Sequence, residues 1–197
     1  AFIGIDNMLK NSEIIRTTPG INLLKDAFTG QPAIVVLAGP SLTKQIDHLK
    51  KQKGLIISTD VTLSILESEG IYPHFMCATE RLIDTVKNVS GRHKAYFAPL
   101  SVVTKEVYEA YDGPKLIAYK QLSQFKFMPW ERGTLITNAA IVGNLCFALA
   151  KYLGCSPIIL IGADHAFEGR KTHVTGFING EEDPAFQDRS KRVTVAG

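Results

Sequence analysis

Beyond residue 33 the chain alternates between short continuous apolar runs and amphipathic stretches. The first run covers residues 33–38, and Leu42, Ile46 and Leu49 then recur at the spacing of one helix face. This spacing predicts a helix that begins at Ser41 or one residue to either side. The same alternation predicts, in chain order, strand 55–59, helix 61–69, strand 74–78, strand 95–98, helix 102–111, strand 115–119, helix 137–153 and strand 157–161. Continuous apolar strands are typical of sheets covered on both faces, so we predict an α/β fold with a doubly wound, mostly parallel, Rossmann-like sheet and helices on both faces.

The two ends of the chain do not share this alternation. Residues 1–30 carry a loose helical pattern that is broken at Pro19-Gly20, and residues 29–32 form a turn-rich boundary. Residues 162–197 are polar and show little periodicity. We therefore predict an N-terminal lead-in over residues 1–32 and one domain over residues 33–197. Because the sequence begins with Ala1 rather than Met, we expect it to be a fragment of a longer protein.

Composition excludes several classes of protein. Hydrophobic residues make up 45% and charged residues 21% of the 197 residues, which is typical of folded domains rather than disordered chains. No apolar run reaches the roughly 18 residues that span a bilayer, so we predict no membrane span. A net charge of +3, scattered along the chain, does not predict nucleic-acid binding. Cys77, Cys146 and Cys155 lie in apolar runs and predict buried free thiols, so we expect a cytoplasmic protein.

Ligands of open parallel sheets bind beyond the carboxyl ends of the strands, where the strand order reverses. Residues that directly follow the predicted strands are therefore the first candidates for a binding site. They are Gly39, Pro40 and Ser41 after the first strand, Asp60 after the second, Thr79 and Glu80 after the third, and Gly162, Asp164 and His165 after the last.

The turn Gly39-Pro40-Ser41 has the residue types of an anion site. Glycine allows close backbone approach, proline fits the first helical turn, and serine adds a hydroxyl beside free N–H groups, which attract phosphate. The alternative is an ordinary turn in which Ser41 only caps the following helix, and the spacing does not decide between the two. Asp60 likewise has two candidate roles, a hydrogen bond to a ribose hydroxyl or a cap for the helix from residue 61.

Two further groups of polar residues lie near the ends of predicted elements. Thr137 and Asn138 open the apolar helix, where Thr137 caps it or the helix start offers N–H donors and the Asn side chain to a nucleotide. Asp164, His165 and His173 follow the last strand, and a carboxylate with two imidazoles suits acid–base catalysis near neutral pH. The two histidines lack the ligand spacing of a zinc site, so we predict no metal held by them.

Four segments, in a fixed order within residues 21–176, carry a resemblance to a known family. They are residues 38–42 (AGPSL), 70–75 (GIYPHF), 150–154 (AKYLG) and 159–164 (ILIGAD). Through them the chain resembles the domain shared by bacterial motility-associated factors, which glycosylate flagellin, and archaeal hydroxymethylpterin diphosphokinases. It is more distantly similar to bacterial sialyltransferases that use a CMP-linked sugar, with which it shares the turn at 39–42 and the Gly-x-Asp at 162–164.

The resemblance implies a glycosyltransferase that moves a nonulosonic, sialic-acid-like sugar from a CMP donor to a protein hydroxyl such as a flagellin Ser or Thr. It also implies residue roles. Gly39, Pro40 and Ser41 would contact the nucleotide phosphate, and Asp60, Thr79 and Glu80 would lie near the donor. Thr137 and Asn138 would meet the nucleotide, Gly162 would be part of the nucleotide-binding site, and Asp164 would meet the ribose or base. His173 is implied as the base that takes the acceptor proton, with His165 as the alternative.

Two positions depart from the sialyltransferases. Asp60 and Glu80 stand where those enzymes have neutral amides, and two carboxylates repel a phosphate unless a cation lies between them. This favours a second hypothesis, a diphosphokinase that uses Mg²⁺ and ATP on a pterin alcohol, with Asp60, Glu80 or Asp164 holding Mg²⁺. Alternatively, Glu80 pairs with Arg81. A third hypothesis is a nucleotide-binding module without catalysis.

Overall fold

The computed structural model describes residues 2–120, 130–135, 141–166 and 173–174. The strands, in chain order, are β1 (Ala33–Val36), β2 (Leu55–Thr59), β3 (Phe75–Cys77), β4 (Gly91–Arg92), β5 (Tyr96–Phe97), β6 (Tyr111–Asp112), β7 (Tyr119–Lys120), β8 (Thr134–Leu135) and β9 (Ile158–Ile161). The α-helices are α1 (Phe2–Lys10), α2 (Ser12–Thr17), α3 (Leu42–Leu49), α4 (Asp60–Ser68), α5 (Val86–Val89), α6 (Lys105–Ala110) and α7 (Val142–Tyr152). Short 3-10 turns lie at Ile21–Leu24, Ile83–Thr85 and Trp130–Arg132.

The central sheet has five parallel strands in the order β5-β3-β2-β1-β9. From β1 the chain moves outward through β2 and β3 to β5, and it returns to the other side of β1 with β9. Ala33 of β1 is paired with Leu55 on one side and with Ile158 on the other. Helices cover both faces, so the predicted doubly wound, Rossmann-like sheet is confirmed. The strand order reverses between β1 and β9, which is where such sheets bind ligands.

β1 is apolar throughout because it is buried on both faces of the sheet. Val35 belongs to a large apolar cluster that includes Leu145 and Leu149 of α7. Val36 points to the opposite face, into a smaller cluster with Leu42 and the rest of the buried stripe of α3. The strand that leads to the candidate turn is therefore held from both sides.

Most predicted elements are present, several with shorter bounds. β2 has the predicted bounds, and α3 begins within one residue of Ser41 as predicted. The predicted helix 137–153 is present as α7 from Val142, while residues 136–140 lie outside the described residues. The predicted strand 115–119 is wrong. Lys115, Ile117 and Ala118 make isolated bridges instead, and only Tyr119 belongs to a strand, because the backbone hydrogen bonds of this segment are divided among residues 19–21, 97 and 101.

The N-terminal lead-in packs on the same core as the sheet. The apolar side chains that it adds to the large cluster include Met8, Ile15 and Ile21. Asn7 of α1 and Asn11 at the start of α2 are buried, and their side-chain amides donate to the carbonyls of Val102 (2.8 Å) and Val103 (2.7 Å) respectively. These bonds fix the loop after β5, so the lead-in is part of one packed unit; the domain boundary at residue 32 stays a prediction.

Two compositional predictions can be compared with the fold. Cys77, Cys146 and Cys155 are buried and free, as predicted. Within the described ranges, none of the helices is long and apolar enough to cross a bilayer.

Candidate functional site

A cavity of about 420 Å³ lies at the carboxyl end of the sheet, where the strand order reverses between β1 and β9. Its walls come from residues 37–39 after β1, Thr59 and Val61 around the start of α4, residues 141–143 at the start of α7, and residues 162–166 after β9, with His173 beside them. Most of this lining is apolar. The topology thus gathers segments that are far apart in sequence into one crevice, as the sheet rule predicts.

The turn after β1 is tied to the turn after β9 by a carboxylate. The Ser41 N–H donates to Asp164 Oδ2 (2.7 Å), and the Ser41 hydroxyl donates to Asp164 Oδ1 (2.5 Å). Ser41 stands at the N-cap position of α3, but its side chain makes no capping bond to that helix. The alternative in which Ser41 caps α3 is therefore wrong, and Asp164 supplies the acceptor at this helix start.

The same carboxylate explains the glycine at position 39. The Gly39 N–H donates to the Gly162 carbonyl (2.9 Å), and a Cβ on Gly39 would overlap both that carbonyl and the Asp164 carboxylate. Pro40 is buried under the turn. The helix start that the sequence predicts to be a phosphate site therefore already holds an anionic group of the protein, and direct phosphate contact at Ser41 stays a prediction.

Gly162 closes the crevice from the β9 side. Its φ of 65° lies in the left-handed region that favours glycine, and a Cβ would overlap the Leu37 carbonyl. Its N–H donates to the side-chain oxygen of Gln45 on α3 (3.2 Å). Gly39 and Gly162 thus allow the two turns to approach closely, and the predicted proximity of both residues to one crevice holds in the structure.

Asp60 lies inside the first turn of α4 rather than at its cap. Thr59 caps this helix, accepting from the Thr62 N–H (3.3 Å) in a reciprocal capping box. The Asp60 carboxylate is buried and accepts from the Asn88 amide (3.1 Å). Burial raises the pKa of Asp60 and the charge of Glu80 adds to the rise, while Asn88 and the Val61 N–H act in the opposite direction.

Thr79 and Glu80 follow β3 on the far side of Asp60. Thr79 is half-buried, whereas Glu80 is exposed and its Oε1 accepts from the Arg81 backbone N–H (2.6 Å). In the part of the chain that the structure describes, Asp60, Thr79 and Glu80 are not among the residues that line the cavity. The predicted site residues therefore form two groups, one around Ser41 and Asp164 and one around Asp60 and Glu80.

The two candidate histidines both line the cavity. His165 is exposed and has a φ of 47°, in the left-handed region, while His173 is half-buried. The N–H of the next residue, Val174, donates to the Ala38 carbonyl (2.8 Å), which attaches His173 to the turn after β1. Thr137 and Asn138 lie outside the described residues.

Sequence reasoning missed three residues that shape the site. Asn88 orients Asp60, Gln45 holds Gly162, and Val174 anchors the segment that carries His173. The first two bonds join residues that are 28 and 117 positions apart, so no local pattern reveals them. In the sequence, Asn88 and Gln45 are marked only as polar residues on amphipathic helices.

Mg²⁺ can be tested against the residues that would hold it. Among the described residues, no group of three or more His, Cys, Asp and Glu side chains is arranged to hold a metal. Mg²⁺ in nucleotide sites uses one or two carboxylates together with the phosphates. Asp60 and Glu80 fit that smaller requirement, because the charge of Glu80 contributes to the raised pKa of Asp60 and a cation between the two carboxylates would offset that repulsion.

Comparison with known proteins identifies the family of this chain. A family model described as 6-hydroxymethylpterin diphosphokinase MptE-like matches residues 6–170. The chain belongs to this family. The match covers both groups of site residues except His173, and it confirms the resemblance read from the four sequence segments.

A solved structure shares the fold of this family member. It is the MAf glycosyltransferase from Magnetospirillum magneticum AMB-1, with a TM-score of 0.61 and 21% identity over 82% of this chain and 25% of that chain. At this identity the likeness shows the fold, and the chain spans about a quarter of the length of that protein. No curated protein matches the sequence.

Proposed function

We propose that the crevice binds the nucleotide of an activated donor and that the domain is a glycosyltransferase of the cytoplasm. In this proposal it transfers a nonulosonic, sialic-acid-like sugar from a CMP donor to a protein hydroxyl such as a flagellin Ser or Thr. The observation that carries the proposal is the cavity itself, which brings Asp164, His165 and His173 together at the point where the strand order reverses. The fold shared with the MAf glycosyltransferase supports it.

The apolar walls and Asp164 suit the nucleoside part of the donor. The cavity of about 420 Å³ is large enough for a base and its ribose, and the apolar side chains of Ile141, Val142 and Ala163 offer surfaces for a ring. Asp164 faces the same cavity with a carboxylate that accepts hydrogen bonds from hydroxyl groups. We therefore assign Asp164 to the ribose hydroxyls.

The donor phosphate fits the start of α7 better than the start of α3. A phosphate charge about 4 Å from the Asp164 carboxylate would cost about 4 kcal/mol near a protein surface. Val142 and Gly143 form the first turn of α7 and line the cavity, and Ile141 at the N-cap position makes no side-chain capping bond. The N–H groups of this first turn therefore supply the donors that stabilise the leaving phosphate.

The transfer step needs a base that takes the proton of the acceptor hydroxyl, and a histidine can supply it. The bond between the anomeric carbon and the phosphate oxygen breaks, the acceptor oxygen bonds to that carbon, and the acceptor proton passes to an imidazole nitrogen. We assign this role to His173, because it is half-buried and attached to the core through Val174, whereas His165 is exposed. Departing CMP carries away the electron pair of the broken bond.

The test is protection of the domain by CMP, combined with transfer assays. CMP at about 100 times its Kd should stabilise the fold by about 2.7 kcal/mol, which raises Tm by roughly 5–10 °C for a chain of this size. His173→Ala should retain that protection and lose transfer, while His48→Ala, on the exposed face of α3, should retain both. If CMP at millimolar concentration leaves Tm unchanged, the proposal is wrong.

A second candidate function is favoured by the family description and by the Asp60 and Glu80 pair. It is transfer of pyrophosphate from ATP to a pterin alcohol, with Mg²⁺ supplying charge neutralisation between these carboxylates when bound. Protection by ATP that requires Mg²⁺, is lost in Glu80→Gln and has no counterpart with CMP would select this function. Binding of either nucleotide without turnover would indicate a non-catalytic module.

A further inference from the structure

Val174 is anchored in the core directly beside the candidate base. Its side chain is 3% exposed and belongs to the smaller apolar cluster, which α3 and α4 form with β1 and β2. Its N–H donates to the Ala38 carbonyl (2.8 Å), and Ala38 itself lines the cavity. The side chain of Val174 therefore packs in the apolar cluster, while its backbone is bonded to the turn after β1.

We propose that Val174 is a positioning residue that holds His173 over the cavity, an inference that rests on the proposed role of His173. Consecutive Cα atoms are about 3.8 Å apart across a trans peptide, so a fixed Val174 restricts the His173 backbone to a small volume. His173 lines the cavity. Because Val174 is held by the Ala38 carbonyl and by the apolar cluster, it determines where His173 meets the cavity wall.

Proton transfer depends on such an anchor. A general base works only within about 2.6–3.2 Å of the proton donor atom, and a misplacement of about 1 Å can cost roughly a hundredfold in rate. Valine is well suited to the task because its branched side chain has a restricted χ1 angle. It fills its place among Ile34, Leu42 and Ile46 without a polar atom that would need a partner.

The space beside Val174 allows a conservative substitution that serves as a control. A groove of about 300 Å³ between α3 and α4 adjoins Val174 and is lined by Ile46 and Ile65 together with Thr43, Asp47 and Glu69. This groove leaves room for one further methyl group, so Val174→Ile should retain the anchor. Val174→Ala should remove most of the apolar contact while it keeps the N–H that bonds to Ala38.

The experiment combines NMR of the histidine rings with steady-state kinetics on a CMP-linked sialic acid donor. In Val174→Ala the His173 ring resonances should move toward those of a solvent-exposed histidine, while those of His48 stay in place. The turnover number kcat should fall by roughly ten- to a hundredfold, with KM for the donor changed less than about threefold. Val174→Ile should restore both the resonances and kcat.

Ile71→Ala separates positioning from general loss of stability. Ile71 belongs to the same cluster and lies between α4 and β3, at the amino ends of the strands and therefore opposite the cavity. Ile71→Ala removes more apolar volume than Val174→Ala does. It should lower Tm without moving the His173 resonances. If the His173 resonances are unchanged in Val174→Ala, the positioning role is wrong. It is also wrong if Ile71→Ala moves these resonances as far as Val174→Ala does, and both outcomes can be judged whether or not transfer is observed. If Val174→Ala displaces the His173 resonances but His173→Ala still transfers the sugar at the full rate, Val174 does position His173, and His173 is not the base.

Discussion

Replacement of Asp164 tests both the architecture of the crevice and the proposed orientation of the donor. The carboxylate accepts two hydrogen bonds from Ser41, at 2.7 and 2.5 Å, and joins the turn after β9 to the start of α3. Asp164→Ala removes both bonds. Asp164→Asn keeps one acceptor oxygen and removes the charge, and Ser41→Ala removes only the hydroxyl bond.

The expected loss of stability follows from these contacts. Hydrogen bonds to a charged acceptor contribute about 1.5–3 kcal/mol each, and the half-buried position of Asp164 lowers that figure. We expect Asp164→Ala to lower the free energy of unfolding by about 2–4 kcal/mol, or Tm by roughly 4–16 °C. Ser41→Ala should cost about 1 kcal/mol, and Asp164→Asn should lie between the two.

The assay is urea unfolding combined with calorimetric titration of CMP. If Asp164 bonds to the ribose, Asp164→Asn weakens CMP binding by about tenfold, which corresponds to about 1.4 kcal/mol. If the phosphate instead contacts Ser41, removal of the neighbouring negative charge strengthens binding. Tighter CMP binding by Asp164→Asn would therefore refute the proposed orientation, and a stability change below about 0.5 kcal/mol in Asp164→Ala would refute the structural role.

Two further predictions concern Asp60 and Gly39. The folded-state pKa of Asp60 is raised, so the free energy of unfolding of the wild type should fall as pH rises from the unfolded pKa of Asp through the folded pKa. Asp60→Asn has no carboxyl group at this position and should lack this loss. Urea unfolding should therefore show that the stability of Asp60→Asn relative to wild type increases between pH 4 and pH 7. A relative decrease over that range would contradict the burial argument. Gly39→Ala should cost about 1–3 kcal/mol by overlap with Gly162 and Asp164, whereas Gly143→Ala meets only the flexible end of Leu37 and should cost less. Equal Tm values for the two variants would contradict this ranking.

The sheet and the position of the crevice were accessible from sequence because both follow from local patterns. Continuous apolar runs gave β1 and β2, and the rule for strand ends selected Gly39 and Asp164 before any contact was known. The direct bond between Ser41 and Asp164 was not accessible, because it joins residues 123 positions apart and depends on the return of β9 beside β1. The cap of α4 was missed for a different, local reason: the helix was predicted to begin at residue 61, which made Asp60 a candidate cap, whereas it begins at Asp60 and Thr59 makes the cap.

The first helix has an influence well beyond its own place in the chain. The buried amides of Asn7 in this helix and of Asn11 directly after it bond to the loop that follows β5, and Asn7 also donates to the Arg81 carbonyl (3.1 Å) in the loop that follows β3. The family match begins at residue 6, so both asparagines fall within it. A redesign of either loop would therefore have to keep the carbonyls of residues 81, 102 and 103 in reach of these two side chains.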